Sequence, residues 1–305
     1  MRVFVTGATG YIGSAIVREL MDAGHTVVGL ARSDEAAASL RAVGAGVHRG
    51  AFDDLESLRT GATMSEGVIQ TAFIHDFSNL AAAVETDRRA IETLGGALAG
   101  SGKPFVVTSV TTCLTPGRVV TEEDAPDLGS VGAPRIGSER VALAMASRGV
   151  RVSVLRLPPS VHSSADKHGF VPRLISIARA KGVSAYVGDG LNRRPAVHRL
   201  DAAHLFRLAL EKGSAGARYH GVADEGVPFH DIADVIGRHL KLPVTVISPE
   251  EATGHFGWFA PFASINNPTS SALTQKQLDW HPVQPALIPD LEEGHYFNFG
   301  AGSCD

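Results

Sequence analysis

GATGYIG, residues 7–13, separates RVFVT (2–6), a short apolar run of strand type, from a helical run, YIGSAIVRELMDAGH (11–25). In that run Ile12, Ala15, Ile16, Leu20 and Met21 recur at helical spacing. Glycine at such a junction permits backbone angles that a Cβ forbids and lets the chain approach a ligand closely. The first turn of the helix offers free N–H groups and the positive end of its dipole, which favour a diphosphate. A second strand, HTVVGL (25–30), closes a βαβ unit. A tight strand-to-helix turn also occurs without any ligand; the complete unit around it is what points to a dinucleotide. Gly7, Thr9, Gly10, Tyr11, Ile12 and Gly13 are therefore the candidate cradle.

Outward from this unit, strand-like and helix-like runs alternate. DEAAASLRAVG (34–44), GVHRG (46–50), VIQTAF (68–73) and a long helical segment at 78–102 lead to PFVVTS (104–109), PRIGSERVALAMASRG (134–149) and VRVSVLRLPP (150–159). Such alternation predicts an α/β fold, a Rossmann-type doubly wound parallel sheet covered by helices over residues 1–157. Beyond Pro158 the rhythm changes. A helix at 199–213 and a strand at 217–223 return the chain to the sheet over 197–225. Residues 158–196 and 226–305 are expected to build a smaller C-terminal substrate domain. Its signals are the helical face Ile232, Val235, Ile236 and Leu240 and the aromatic cluster Phe256, Trp258, Phe259 and Phe262, which suits a pocket lining or a small core.

With 305 residues, 44% of them hydrophobic and 20% charged, the chain has the composition of a globular protein with a substantial core. A net charge of -4 without a basic run argues against nucleic acid as a partner. Cys113 and Cys304 lie too far apart for a disulfide framework or a cysteine metal site, and a cytoplasmic location is expected. No basic leader with an apolar stretch opens the chain, and no run has the length of a membrane span. His198, Asp201 and His204 spread around a helix instead of converging, so no metal is expected.

The turn TGATGYIG (6–13), the strand end VVTS (106–109) and LDWHP (278–282) together resemble the short-chain dehydrogenase/reductase superfamily. The likeness is to its extended and atypical branches, often labelled NAD-dependent epimerase/dehydratase, and runs over nearly the whole chain. RLPPSVH (156–162), GFVPRLISIARAKGVSAYVGDG (169–190) and RRPAVHRLDAAHLFRLALE (193–211) resemble one atypical subgroup, defined by sequence more than by known reactions.

That resemblance gives roles to residues around the predicted sheet. At the end of the second strand a carboxylate selects NAD, whereas a cation suits the 2′-phosphate of NADP. Arg32 and Ser33 stand there, so NADP is expected over NAD, the alternative being that Asp34 serves the ribose. Asp53 matches the aspartate that binds adenine, or it caps the next helix. Thr71, Ala72 and Phe73 would pass beside the adenosine and nicotinamide halves, and the backbone of Val161 would meet the carboxamide. Asp201 is expected as a helix cap.

Catalysis departs from the family pattern. Relatives use a tyrosine as acid/base, a lysine four residues later and a serine or threonine that polarises the substrate oxygen. The four tyrosines here, at 11, 186, 219 and 296, have no such lysine. Arg135 and Glu139 take the two positions; Arg135 would stabilise an oxyanion, or the two form a surface salt bridge. Ser109 and Thr111 are the candidate polarising hydroxyls, and either would equally bond neighbouring backbone. Asp87 stands where the superfamily has a relay asparagine. His162, after the double proline, is the candidate proton donor, or a histidine packed under the domain interface.

The expectation is an NADP-dependent oxidoreductase that reduces a small, fairly apolar carbonyl substrate by hydride transfer through a site without Tyr-x-x-x-Lys. A sugar-nucleotide epimerase or dehydratase is the alternative enzyme; an NADP(H)-binding sensor or scaffold is the alternative of another class. The resemblance also implies a homodimer through the helices at 77–98 and 134–148.

Overall fold

In the computed structural model, which describes residues 1–76 and 79–298, seven strands form one parallel sheet. They are β1 (Arg2–Thr6), β2 (Thr26–Ala31), β3 (Gly46–Arg49), β4 (Gly67–Gln70), β5 (Pro104–Val110), β6 (Arg151–Leu157) and, later in the chain, β10 (Ala217–His220). Their order is β10-β6-β5-β4-β1-β2-β3. Because a doubly wound sheet is covered on both faces, its central strands are apolar on consecutive residues. Val3, Phe4, Val5, Val68, Ile69, Phe105, Val106 and Val107 are all buried accordingly.

One face is covered by α1 (Tyr11–Asp22) and α2 (Asp34–Ala42), the other by α3 (Leu55–Thr63), α4 (Leu80–Ala97) and α5 (Ile136–Ala144). The doubly wound expectation is met. Strand order reverses between β1 and β4, and the crevice outside their carboxyl ends is where ligands bind in such sheets.

After β6 the chain leaves the sheet. Short strand β7 (Ser160–His162), α6 (Phe170–Lys181), β8 (Ser184–Val187) and β9 (Arg193–His198) come before α7 (Arg199–Lys212), which packs on α1. After β10 follow β11 (Asp224–Pro228), α8 (Phe229–Leu240) and β12 (Val244–Ile247). Strands β11, β9 and β7 make a three-stranded sheet, and β12 pairs with β8. Helices α6 and α8 bury Phe170, Leu174, Ile232 and Ile236 in a separate core, with Phe256 and Phe259 of the aromatic cluster. Trp258 stays 51% exposed. The tail adds α9 (Ala252–Phe256), α10 (Ala260–Ser264), α11 (Ala272–Leu278) and α12 (Leu287–Glu292). Among the described residues no helix is long and apolar enough to cross a membrane. Cys113 is buried, whereas Cys304 and the first two residues of the expected 77–98 helix lie outside the described residues.

Candidate active site at the sheet edge

The glycine turn is built by close approach. Gly7 takes a φ of +68°, and a Cβ there would lie 2.8 Å from both Ala72 N and Thr71 Oγ1. A Cβ on Gly13 would lie 2.0 Å from Gly7 O, so the helix reaches the loop only because residue 13 has no side chain. Thr9 and Gly10 are exposed at the tip, and no side chain caps the N-terminus of α1. Free helix N–H groups beneath an open glycine loop suit a dinucleotide diphosphate. Tyr11 and Ile12 are half-buried in the first turn; the Tyr11 hydroxyl is 2.9 Å from Ser163 Oγ, and burial raises its pKa.

Beyond β2, Arg32 is exposed and Ser33 caps α2 by accepting from Ala36 N at 3.2 Å. Asp34, the alternative ribose ligand, is paired with Arg49 at 2.9 Å. Asp53 is exposed and does not cap α3. Asp54 does so, accepting from Ser57 N at 3.1 Å.

Strand β4 ends at Gln70, earlier than the predicted 68–73 run. The Gln70 side chain donates to Ala72 O at 2.8 Å and to Asp87 Oδ1 at 2.9 Å, turning the chain outward. Thr71 Oγ1 donates to Thr6 O at 2.7 Å, tying this edge to the glycine turn. Phe73 lies under Arg135, whose guanidinium carbon is 4.1 Å from the ring centroid. Arg135 also donates to Thr108 O at 3.2 Å and pairs with the buried Asp87 at 3.3 Å. Burial pushes the Asp87 pKa up, with Arg135 opposing the rise.

The expected Arg135–Glu139 surface pair does not form. Glu139 is buried, 2.6 Å from Arg156 and 3.3 Å from Arg218. The hydroxyl roles need correction too. Ser109, 2% exposed, donates to Glu139 at 2.8 Å, and Thr111, fully buried, donates to Asn267 Oδ1 at 3.1 Å. Neither hydroxyl points its proton at the crevice. His162 is 1% exposed and lies inside β7, with Nδ1 held by Asp290 at 2.8 Å and Nε2 without a partner. Val161 beside it is buried in register with Val197. Asp201 is not the cap of α7, since His198 accepts from Leu200 N; Asp201 instead accepts from Val283 N and Gln284 N at 3.0 Å each.

Two residues escaped the sequence reading. His75, two positions beyond Phe73, is exposed on the loop after β4, and its ring meets Phe73 edge-on at 5.3 Å. The signal was its place at the carboxyl edge of a central strand, where open α/β sheets gather ligands. Arg194 of β9 is fully buried and lies over Phe170 at 4.3 Å; it donates to Phe262 O while Nε and Nη2 have no partner. Burial pushes its pKa down to about 9, so it remains a cation at neutral pH. Asn267 links this strand to the sheet edge, donating its N–H to Arg193 O at 2.9 Å while holding Thr111.

The expectation of no metal has one local exception to weigh. Asp290, Glu293 and His295 come within 4.8 Å of one another, but Asp290 is already engaged by His162, and Glu293 is exposed.

Comparison with known proteins agrees with this frame. The model of the NAD dependent epimerase/dehydratase family matches residues 3–222. An uncharacterized protein of Schizosaccharomyces pombe is 51% identical over 97% of this chain and 100% of its own. A 4-hydroxy-2-methyl-3-oxo-4-farnesyl-3,4-dihydroquinoline-1-oxide ketoreductase of Stigmatella aurantiaca is 26% identical, over 72% of this chain and 67% of its own. Among solved structures, the dTDP-glucose 4,6-dehydratase DesIV of Streptomyces venezuelae, with NAD bound, superimposes with a TM-score of 0.76. It is 20% identical, and the match covers 97% of each chain.

Proposed function

The chain belongs to the NAD dependent epimerase/dehydratase family, and within it we propose that this protein is an NADPH-dependent reductase of a small carbonyl compound. The observation behind this reading is Arg135. A cation held by Asp87 and Thr108 O stands over Phe73 at the carboxyl edge of the sheet, where negative charge on a reduced carbonyl oxygen needs a fixed donor. The cradle of Gly7, Gly10 and Gly13 fits a dinucleotide, which when bound supplies hydride to the carbonyl carbon.

Arg32 supports NADPH over NADH, because it is exposed at the end of β2 while the neighbouring carboxylate, Asp34, is tied to Arg49. The ketoreductase relative supports reduction as the reaction class. The absence of Tyr-x-x-x-Lys removes the usual acid/base pair of reductases, epimerases and dehydratases alike, so the choice of reduction rests on Arg135 and the ketoreductase relative.

The test is oxidation of NADPH and of NADH by the purified protein with benzaldehyde, 4-carboxybenzaldehyde, 2-oxo acids and α,β-unsaturated ketones. Turnover of at least one of these carbonyls, with NADPH preferred over NADH, is expected. Folded protein that binds NADPH and turns over none of them would point to a sensor or scaffold.

A further inference from the structure

Resting on the reductase reading, one question is which group returns a proton to the reduced oxygen. The four tyrosines are engaged with other groups or lie away from Arg135. Tyr11 bonds Ser163, Tyr219 is buried and accepts from Ser214 N, Tyr296 is buried against Ser163 N and Asp290, and Tyr186 lies on β8 of the smaller domain. Arg135 holds its proton too tightly to donate it. Ser109 and Thr111 are buried and engaged, and His162 is enclosed in β7.

We propose that His75 is the proton donor of this site, paired across the Phe73 ring with Arg135, which stabilises the oxyanion. Phe73 is the platform: the guanidinium lies over its face at 4.1 Å, and the imidazole meets it edge-on at 5.3 Å. His75 stands on the loop that leaves β4, and Arg135 reaches the same ring from the turn that precedes α5. His75 keeps an exposed surface that a substrate can reach, while its ring, packed against Phe73 and hydrogen-bonded to that residue's backbone, is partly withdrawn from water. Among the described residues, the charged groups near it are Arg135, Asp87 behind Arg135, and Asp76 next along the loop.

The step balances. With NADPH as the reductant, oxidised to NADP⁺, hydride reaches the carbonyl carbon as the C=O π bond opens onto oxygen, the oxygen takes the proton of the imidazolium, and neutral imidazole is reprotonated by solvent. Desolvation, and then the Arg135 cation, hold the His75 pKa below the ordinary histidine value. The imidazolium is therefore a stronger acid than usual. Its population falls as pH rises, so reduction weakens on the alkaline side of a pKa below about 6.5.

The experiment measures the pH profile of kcat/KM for 4-carboxybenzaldehyde with NADPH in the wild type, His75→Gln and Arg135→Gln. Imidazole ¹⁵N titration of the cofactor-free proteins runs alongside. His75→Gln is expected to lose about 100-fold in kcat/KM and the descending limb, with NADPH affinity kept. Arg135→Gln is expected to raise the His75 pKa in the titration and to move the limb to higher pH. Retention of activity by His75→Gln to within about twofold, with the limb unchanged, overturns the assignment while leaving the reductase reading intact. A wild type that turns over no carbonyl overturns both.

Discussion

Glu139 Oε1 lies 2.6 Å from Arg156 Nη2, with both side chains buried at the helix position where the family pattern has its lysine. Ser109 and Arg218 complete the carboxylate's partners, and together they lower the Glu139 pKa against the opposing effect of burial. This position joins α5 to β5, β6 and β10 and serves the fold. Glu139→Ala would leave Arg156 buried without its carboxylate and is expected to cost about 3–5 kcal/mol. Glu139→Leu with Arg156→Met should recover only part of that loss: an apolar pair carries no desolvation penalty, but Ser109, Arg218 and His220 Nε2 lose their partner. Urea unfolding of the single and double variants measures both; a single-variant loss below about 1 kcal/mol contradicts this account.

Gly13→Ala probes the cradle directly. Its Cβ would fall 2.0 Å from Gly7 O, and neither the helix nor the loop has room to yield, because Gly7 is already pressed against Thr71 and Ala72. The expected result is a stability loss of about 1–3 kcal/mol and at least about tenfold weaker NADPH binding. Calorimetry and NADPH fluorescence titration read the two effects separately. Wild-type binding by this variant would remove the diphosphate from the glycine turn.

Arg32→Ala tests cofactor choice. A charge-assisted bond to the 2′-phosphate contributes roughly 1.5–3 kcal/mol, so affinity for NADPH should fall about 10–100-fold while that for NADH changes little. Equal losses for both cofactors would mean that Arg32 serves the loop and not the phosphate.

What was legible in the sequence follows from the range of the interactions involved. GATGYIG was readable because a glycine demanded by a close backbone approach is a local fact, and the sheet because buried parallel strands are apolar on successive residues. The engagement of Thr111 by Asn267 was not readable, since 156 positions separate them. Separations of 128 positions, and of 82 and 83, likewise hid Asp290 beside His162 and Asp201 under residues 283 and 284. Arg135 and Glu139 looked like a helical pair by spacing, yet each found a stronger partner in another element. Asp54 outcompeted Asp53 as the cap because it alone has its carboxylate placed three residues before a free N–H.

His220 gives the fold a pH signature that a difference measurement can isolate. Its Nδ1–H donates to Ser270 O at 2.8 Å, and Nε2 accepts from Arg156 at 3.2 Å, so the ring is held neutral. A second proton would be buried facing a guanidinium. Burial, with Arg156 adding to it, lowers the pKa to about 4. An unfolded histidine takes its proton near pH 6.5, so between about pH 4 and 6.5 the unfolded chain binds more protons and stability rises with pH. The contribution is complete above about 6.5 and lost as pH falls through that window, amounting to about 3 kcal/mol at the acid end. Asp166, whose pKa burial raises to about 6, acts in the opposite direction over much of the same range. The informative quantity is therefore the difference between the wild type and His220→Gln, whose amide can keep both hydrogen bonds but does not titrate. That difference should grow in favour of the wild type from pH 4 to 6.5 and stay level above it. A difference that is flat across this range would mean that the imidazole is already charged in the fold.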